Sequence, residues 1–323
     1  MAMRNRFQKP LYVAILAAGE SKRMNSAVSK VMHRLAGRPL LYYCIDIAKS
    51  LNPKEIFVVV GGPHREKVMD EFKNTGVTFV EQPEPKGTGD AVMKVEPHLR
   101  NVTDADLFVM PGDAPLLTEG TAQKFVEFHR ARGAVATVLT AEHPNPTGYG
   151  RIIRSVGDRI MMIVEESDAF PEEKAIREIN SGIYVFDVEY LFQWLKEIRP
   201  DNRQNEYYLT DVIEILQRRV GGVYAYKIDD WKEVLGVNTR HDLANAERIM
   251  QERLKSKWIG SGVSFIDPDA VYIEYYVEIG RDTIIYPFVA LLGRTKIGQN
   301  AIIGPNVVLE DAEIKDGEVI RWR

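Results

Sequence analysis

The chain has 323 residues, of which 45% are hydrophobic and 27% are charged, and its formal net charge at pH 7 is −4. This length and composition argue against a disordered chain and are typical of two folded domains, one large and one small. Acidic and basic residues are interspersed, so the sequence offers no basic face for a nucleic-acid partner.

The cysteine content and the N-terminal sequence indicate the cellular compartment in which the protein is expected. The single cysteine, Cys44, excludes an intramolecular disulfide and a multi-cysteine metal site and suits a reducing compartment. The apolar segment 11–16 follows basic residues as in a secretory signal, but it is short and enters a glycine-containing loop, as a first strand does. No segment reaches the roughly 20 apolar residues of a membrane span. We therefore expect a cytoplasmic protein without a membrane partner.

Apolar, β-branched segments alternate with amphipathic ones over the first 140 residues. This pattern predicts a Rossmann-like α/β domain with a mostly parallel sheet covered by helices. Ligands of such sheets bind beyond the C-terminal ends of the strands. The predicted strands are 11–16, 55–61, 77–82, 106–113 and 134–140, and the predicted helices lie near 39–51, 65–74, 88–98 and 121–132.

Closely spaced strands then replace this alternation. Segments 149–154, 159–166 and 178–187 predict a mixed-sheet extension that forms a substrate lobe. Helices are predicted again at 188–198 and 206–219. A long polar helix over 240–257 begins with Thr-Arg-His-Asp, a pattern typical of an N-cap with an acid three residues later. This helix is predicted to link two domains.

The C-terminal segment has a period of six. Aliphatic residues recur at 273, 279, 285, 291, 297, 303 and 309, and a second series of small or β-branched residues recurs at 277, 283, 289, 295, 301 and 307. This spacing predicts a triangular parallel β-solenoid of two or three coils. A β-sandwich, the alternative, would show a period of two. The predicted domains are therefore 1–238, a linker helix at 239–258, and a short parallel β-helix at 259–323.

The loop after the first strand is a candidate phosphate site. Small residues and Gly19 let the backbone approach a ligand, while Arg23 and Lys30 supply positive charge. The loop lacks both the Walker A and the GxGxxG patterns, which argues against P-loop ATPases and dinucleotide enzymes. Alone the motif is weak, and an interpretation of Arg23 and Lys30 as surface cations remains open.

Two residues are candidate metal ligands. Asp113 follows an apolar strand, so its carboxylate is expected at a strand C-terminus, where it can hold Mg²⁺ against phosphates. Asn238 offers a second oxygen. The alternatives are a loop-capping role for Asp113 and a helix-boundary role for Asn238.

A series of short motifs follows in a fixed order along the chain. After LAAG (16–19), Arg23, Lys30 and LAGRPL (35–40) come GTGDA (87–91), GD (112–113), NPTGYGRI (145–152), IVEE (163–166), EINSGIYVFD (178–187), EYYLTD (206–211) and VLGVN (234–238). Together these motifs resemble the uridyltransferase domain of bacterial N-acetylglucosamine-1-phosphate uridyltransferases, bifunctional enzymes that end in a left-handed β-helix. The resemblance extends from Leu11 to about Leu309.

The resemblance implies a role for each site residue. Arg23, Lys30 and Asp113 would be catalytic, and Asp113 and Asn238 would bind Mg²⁺. The sugar would contact Gly150, Glu165 and Asn180. The uridine would contact Leu16, Ala17, Ala18, Gly19, Gln82, Gly87 and Thr88.

The implied reaction joins UTP to N-acetylglucosamine 1-phosphate by Mg²⁺-dependent in-line displacement. The products are pyrophosphate and UDP-N-acetylglucosamine, a precursor for cell-wall and amino-sugar synthesis. The resemblance also implies a homotrimer formed through the β-helix. No acetyl transfer is expected, because the family's acetyl-CoA site lies in later coils. The alternatives are a pyrophosphorylase for glucose or N-acetylgalactosamine 1-phosphate, and a non-catalytic assembly subunit with hexad repeats.

The sequence departs from the family pattern without losing a metal ligand. Pro85 and Pro111 lie beside the nucleotide motifs, so the preference for UTP over dTTP is left open. The other departures are Ser29, Lys86 and Ser167.

Overall fold

The computed structural model describes residues 9–19 and 22–321. Two residues of the predicted nucleotide loop, Glu20 and Ser21, lie outside the described residues, as do the basic residues before Lys9. The chain divides into two compact units. The first holds the described residues up to Met32 and Leu40–Asn238, and the second holds His33–Pro39 and the chain from Thr239 onward.

The helices and strands of the described residues are numbered in chain order. The helices are α1 Leu40–Ser50, α2 Arg65–Phe72, α3 Thr88–Met93, α4 Glu96–Leu99, α5 Glu119–Arg132, α6 Pro171–Lys174, α7 Val188–Trp194, α8 Asp211–Arg219 and α9 Arg240–Gly260. The strands up to β11 are β1 Leu11–Leu16, β2 Arg34–Leu35, β3 Arg38–Pro39, β4 Glu55–Gly61, β5 Thr78–Gln82, β6 Asp106–Pro111, β7 Ala136–Glu142, β8 Arg151–Arg154, β9 Ile160–Val164, β10 Glu178–Asp187 and β11 Val223–Ile228. The later strands are β12 Ser264–Phe265, β13 Val271–Ile273, β14 Glu278–Ile279, β15 Ile284–Ile285, β16 Val289–Leu292, β17 Lys296–Ile297, β18 Ile302–Ile303, β19 Val308–Glu310, β20 Glu313–Ile314 and β21 Val319–Ile320.

The first unit is built on a mixed sheet that is mostly parallel, as predicted. Its strand order is β11-β7-β10-β6-β1-β4-β5, and β10 runs antiparallel to both of its neighbours, β6 and β7. The hairpin of β8 and β9 joins through β8 to β10. The predicted extension of three closely spaced strands is therefore confirmed, and it continues the sheet that carries the first strand.

Two hydrophobic cores lie on opposite faces of this sheet. In β1, Ala14 packs into one core while Val13 and Ile15 pack into the other. The same alternation holds in β6, where Val109 and Phe108 belong to different cores. Because helices cover both faces, both sets of side chains are buried, and the strands read as continuous apolar runs. The sheet is thus a rigid platform for the loops at its C-terminal edge.

Some elements differ from the predictions. The helix predicted over 88–98 is two helices, α3 and α4, because Pro97 cannot donate a backbone hydrogen bond and fits only the first turn of a new helix. Residues 206–210 are not helical, so the predicted helix 206–219 begins at Asp211. The edge strand β11 and the short helix α6 were not predicted.

The second unit contains the predicted solenoid. Strands of successive coils pair in parallel, forming sheets β12-β15-β18-β21, β13-β16-β19 and β14-β17-β20. Ile279 pairs with Ile297, 18 residues on, whereas Ile297 pairs with Ile314, so the next step is one residue shorter. Both periodic series point inward, since Ile285 and Thr283 are each fully buried.

Helix α9 packs on the first coil of the solenoid. Gln251 donates to the carbonyl of Ile273 at 2.7 Å and accepts from its N–H at 3.0 Å, as a neighbouring strand would. The predicted N-cap is confirmed, because Thr239 and Asp242 form a reciprocal capping box. The segment 33–39 belongs to this unit, where Ala36 N donates to Glu247 at 2.8 Å. In the described part of the chain, no helix has the length and apolar character needed to cross a membrane.

Candidate active site

All four of the predicted catalytic and metal residues meet in one cluster of the first unit. The Lys30 ammonium forms an ion pair with Asp113 and donates to Asn238 Oδ1 at 2.9 Å. The Arg23 guanidinium donates to the same Asn238 oxygen at 3.0 Å. Asp113 is 8% exposed, whereas Arg23 is exposed. The cluster thus joins a partly buried carboxylate to a cation that reaches solvent.

The sheet explains this convergence. Asp113 follows β6, and Gly112 N donates to the Leu16 carbonyl at the end of β1, so the two loops leave adjacent strands. The Asp113 carbonyl accepts from Val237 N at 2.8 Å, which brings in Asn238 from more than 100 residues away. Parallel neighbours end at the same edge of a sheet, and polar groups after each strand therefore meet there.

The segment leading to Asn238 is held by a second set of contacts. Residues Trp231–Val234 form a single 3₁₀ turn, and Glu233 in it accepts hydrogen bonds from Thr118 N at 2.9 Å and from Thr121 Oγ1 at 3.0 Å. Thr118 is also the N-cap of α5. The position of Asn238 is therefore fixed from both the β6 loop and α5.

The predicted uridine-binding residues lie at the ends of β1 and β5 and at the start of α3. Leu16 ends β1, and Ala17, Ala18 and Gly19 follow. A Cβ built on Gly19 would have no heavy atom of the described residues within 4 Å, its chain neighbours aside. Gly87 has φ of 109°, and a Cβ there would lie 2.5 Å from the Tyr207 carbonyl oxygen, so this close approach requires glycine. Thr88 Oγ1 accepts from Leu209 N at 3.0 Å.

The Gln82 side chain is buried and hydrogen-bonded within the protein rather than freely exposed to a nucleotide base. It is 3% exposed, and its amide nitrogen donates to Asp90 at 2.7 Å and to the Gly87 carbonyl at 3.1 Å. These bonds fix the side chain and leave its amide oxygen as the group that a base could contact. Asp90 in turn pairs with Lys94 at 3.1 Å.

The three predicted sugar-binding residues form a second cluster. Asn180 N donates to the Gly150 carbonyl at 2.9 Å. A Cβ on Gly150 would lie 3.4 Å from both Asn180 Cβ and Glu165 Oε2. The same Cβ would lie 3.1 Å from Ile163 Cγ2, so a side chain at position 150 would crowd this residue and the Glu165 carboxylate.

Residues that the sequence analysis did not single out orient this cluster. Thr210 Oγ1 donates to Glu165 at 3.1 Å, and Asn180 Nδ2 donates to the Tyr184 hydroxyl at 2.8 Å. Tyr184 lies beyond an irregularity in the pairing of β10 with β7, which turns Asn180 and Tyr184 toward each other. Thr210 belongs to the EYYLTD motif, but no periodicity in that motif indicates which of its side chains faces Glu165.

Carboxylates are crowded near the second cluster. Burial raises the pKa of Glu165, partly offset by the Thr210 hydrogen bond, and Asp168 raises it further. Burial raises the pKa of Asp211 to about 6, with contributions from Glu165, Glu214 and Asp168. Asp211 therefore takes up a proton far more readily than an exposed aspartate does.

The Asp113–Asn238 pair suits a hard divalent cation. A carboxylate and an amide oxygen are the oxygen donors that Mg²⁺ prefers, and here both already contact one cationic group, the Lys30 ammonium. No cluster of three or more histidine, cysteine, aspartate or glutamate side chains was found among residues 9–19 and 22–321. Substrate phosphates would supply the remaining ligands, as is usual for Mg²⁺.

Family models match both units. Residues 13–169 match the MobA-like NTP transferase domain, and residues 276–311 match the bacterial transferase hexapeptide with six repeats. The first unit therefore contains a nucleotidyltransferase domain. The hexapeptide match, with three parallel sheets in register, identifies the solenoid as a short left-handed β-helix, as predicted.

Curated relatives extend the similarity over nearly the whole chain. The chain is 44% identical over 307 residues, or 95% of its length, to the "Bifunctional protein GlmU" of Caldanaerobacter subterraneus subsp. tengcongensis, of which it spans 66%. It is 44% identical over 96% of its length to the protein of the same name from Exiguobacterium sibiricum, and 42% identical over 99% to that from Halalkalibacterium halodurans. It spans 68% of each of these two proteins.

The chain spans about two thirds of the length of the curated relatives it matches. The match includes both the nucleotidyltransferase domain and the hexapeptide repeats, in the order that the sequence motifs predict. With 42–44% identity maintained across 95–99% of its residues, the chain belongs to the family of bifunctional GlmU proteins.

Proposed function

We propose that this chain is a UTP:N-acetylglucosamine-1-phosphate uridylyltransferase. The observation that carries the proposal is the pair of clusters in the first unit. Arg23, Lys30, Asp113 and Asn238 form a charged cluster suited to phosphates, and Gly150, Glu165 and Asn180 form a polar cluster suited to a sugar. One cluster alone would fit many enzymes, whereas the two together fit the joining of a nucleotide to a sugar phosphate.

The reaction is a single in-line displacement. A phosphate oxygen of the sugar 1-phosphate attacks the α-phosphorus of UTP, the bond from that phosphorus to the bridging oxygen breaks, and pyrophosphate leaves. No covalent intermediate with the protein is required, since the attacking group belongs to the acceptor. The protein contributes orientation of the two substrates and neutralisation of charge.

Each residue of the phosphate cluster has a distinct role in this step. Arg23, exposed at the rim, binds the leaving pyrophosphate with its planar fork of donors. Lys30, a compact charge deeper in the cluster, contacts the α-phosphate and the incoming phosphate. Asp113 and Asn238 would hold Mg²⁺, which would supply further charge neutralisation for the phosphates.

Acceptor recognition rests on the sugar cluster. The Glu165 carboxylate accepts a hydrogen bond from a sugar hydroxyl, and the Asn180 amide and Gly150 backbone pair with the acetamido group. Leu16 to Gly19, Gln82, Gly87 and Thr88 contact the uridine. The same residue types could recognise glucose or N-acetylgalactosamine 1-phosphate, which remain the alternative acceptors. A non-catalytic assembly subunit would not need the four-residue phosphate cluster.

The β-helix is the assembly element in this proposal. Ile284, Ile302 and Val319 form an in-register apolar ladder on the outer surface of one sheet, and Val319 is 46% exposed. Burying such a ladder between copies of the chain favours a homotrimer. We place the enzyme in the cytoplasm, where UTP is available.

A substrate panel tests the proposed function. Pyrophosphate release is measured with Mg²⁺ and UTP against N-acetylglucosamine, N-acetylgalactosamine and glucose 1-phosphates. The highest kcat/KM is expected for N-acetylglucosamine 1-phosphate. A higher value for another acceptor would reassign the sugar, and no release with any acceptor would contradict nucleotidyl transfer by this chain.

A further inference from the structure

A buried histidine lies at the start of the loop that carries Gly150. His143 directly follows β7 and is 8% exposed. Its backbone N–H donates to the Arg177 carbonyl at 3.0 Å, which anchors the residue to the chain just before β10. None of the phosphate or sugar roles described above uses this side chain.

The His143 ring shapes the loop 143–150 through a hydrogen bond. Its Nδ1 accepts from Asn145 N at 3.0 Å, and Asn145 Oδ1 then accepts from Thr147 Oγ1 at 2.8 Å. Tyr149 N donates to the Pro146 carbonyl at 3.2 Å, and Gly150 follows with its bond to Asn180. The loop is thus a chain of local turns that begins at the histidine ring and ends at the sugar cluster.

The protonation state of the ring suits this role. Burial lowers the pKa of His143; the Asn145 hydrogen bond partly offsets this, and the nearby Arg177 charge lowers the pKa further. Because Nδ1 accepts from the Asn145 N–H, the tautomer that fits this bond has its proton on Nε2. Nε2 has no hydrogen-bond partner among the residues that the structure describes.

The same ring contacts the segment that leads to Asn238. The rings of His143 and Trp231 are 4.4 Å apart between centroids, at an interplanar angle of 73°, and the Tyr149 ring lies 5.4 Å away on the loop itself. Trp231 begins the 3₁₀ turn whose continuation binds the Asp113 carbonyl through Val237. The His143 side chain therefore contacts both the loop 143–150, which carries Gly150, and the segment that leads to Asn238.

We propose that His143 is a positioning residue for the acceptor. Its Nδ1 sets the shape of the loop 143–150, and its ring packs this loop against Trp231. These two contacts fix the position of the sugar cluster relative to Asn238. The inference rests on the proposed function, because it assigns the loop to the sugar acceptor.

Two substitutions separate the hydrogen bond from the ring contact. His143→Asn keeps an acceptor for the N–H two residues later, as in an Asx turn, but removes the ring. His143→Phe keeps a ring against Trp231 but removes the acceptor. We expect His143→Phe to raise the KM for the sugar phosphate about fivefold and to leave the KM for UTP unchanged, since one hydrogen bond is lost. His143→Asn is expected to keep the acceptor KM within about twofold and to raise the Mg²⁺ concentration for half-maximal rate.

Hydrogen exchange provides a readout that needs no turnover. His143→Phe should speed amide exchange in 145–150, with Asn145 affected most, whereas His143→Asn should speed it in 231–238. His241→Asn, on the exposed surface of α9, is the control and should alter neither segment.

The outcomes distinguish this inference from the proposed function. An inactive wild-type chain with the segment-specific exchange pattern would contradict the function and retain the positioning role. An active wild type whose acceptor KM and exchange are unchanged in His143→Phe would overturn the inference alone. If both variants increased amide exchange equally in both segments, His143 would be a purely structural residue. That result would also overturn the positioning inference.

Discussion

Lys30 occupies the place between the two proposed metal ligands. Its ammonium contacts both Asp113 and the Asn238 amide oxygen, so a chain cation neutralises a carboxylate that is only 8% exposed. Leaving such a carboxylate without a countercharge is costly, because it has lost much of its hydration. A divalent cation bound to Asp113 and Asn238 would share this countercharge role with Lys30.

Removing Lys30 should therefore make stability depend more on Mg²⁺. For Lys30→Ala, we expect a lower Tm without metal and a larger rise in Tm when Mg²⁺ is added than in the wild type. A difference of about 1 kcal/mol corresponds to roughly 2–4 °C in a domain of this size. Thermal unfolding with and without Mg²⁺ measures it. Lys54→Ala, on an exposed lysine, is the control, and equal Mg²⁺ shifts in both variants would contradict the metal assignment.

Asp211 gives a prediction about pH. Its pKa is about 6 in the folded state against an ordinary value of 3.8, so the folded protein binds this proton more tightly than the unfolded chain does. The contribution of Asp211 to the free energy of unfolding is therefore lost as pH rises through about 4 to 6. Asp211→Asn should be more stable than the wild type at pH 7, by about 1 kcal/mol after allowing for solvent screening of a partly exposed group.

Urea unfolding at pH 7 and at pH 4 measures this difference. The gain should disappear at the lower pH, where the wild-type carboxyl is protonated in the folded state. Asp201→Asn changes an exposed aspartate and should show no such pH-dependent gain. A gain for Asp211→Asn that is the same at both pH values would contradict the account.

At the residue scale, the sequence indicated candidate site residues but not the contacts between them. Asp113 could be located because an apolar strand precedes it, and Arg23 and Lys30 because they follow a strand and a small-residue loop. Three contacts could not be predicted: that of Lys30 with both proposed metal ligands, the Thr210 bond to Glu165, and the ring contact of His143 with Trp231. Each depends on segments far apart in sequence that only the folded sheet brings together.

At the element scale, periodicity decided which predictions were accurate. The buried strands β1 and β4 and the solenoid coils match their predicted segments because side chains facing a core must recur at fixed spacing. The start of α8 and the break between α3 and α4 depend instead on local backbone bonding and on Pro97. Edge strand β11 was not predicted; its buried residues, Val223 and Ala225, alternate with the partly buried Tyr224 and Tyr226.

The capping box of α9 is testable by itself. Thr239→Ala removes the oxygen that accepts from Asp242 N, leaving a first-turn N–H without its partner. We expect the free energy of unfolding of the second unit to fall by about 1 kcal/mol, with kcat and both KM values unchanged. Chemical unfolding followed by circular dichroism measures it, and Thr239→Ser, which keeps the hydroxyl, should behave as the wild type. Equal losses in both variants would contradict the capping role.

At the scale of the whole molecule, the outer surfaces of the β-helix differ. One sheet carries the apolar ladder of Ile284, Ile302 and Val319, and another carries the charged residues Glu278 and Lys296. Apolar surface favours association, whereas charged surface opposes it unless paired.

The apolar ladder predicts the oligomeric state. Three chains of 36.7 kDa would give a particle of about 110 kDa in sedimentation or light scattering. Val319→Glu should lower this mass, because a charge would be buried in the interface. Lys296→Gln on the charged sheet is the matched control and should leave the mass unchanged. A monomeric wild type would contradict the proposed trimer.

The most direct test of the account joins product identification to the metal site. With UTP, N-acetylglucosamine 1-phosphate and Mg²⁺, the wild-type chain should form UDP-N-acetylglucosamine and pyrophosphate in equal amounts, detected by phosphorus NMR. Asp113→Ala should lower kcat by at least about a hundredfold, because it removes the only carboxylate among the proposed metal ligands. Asp201→Ala should react as the wild type does. Equal turnover by Asp113→Ala, or a wild type that forms no UDP-sugar, would contradict the central claim.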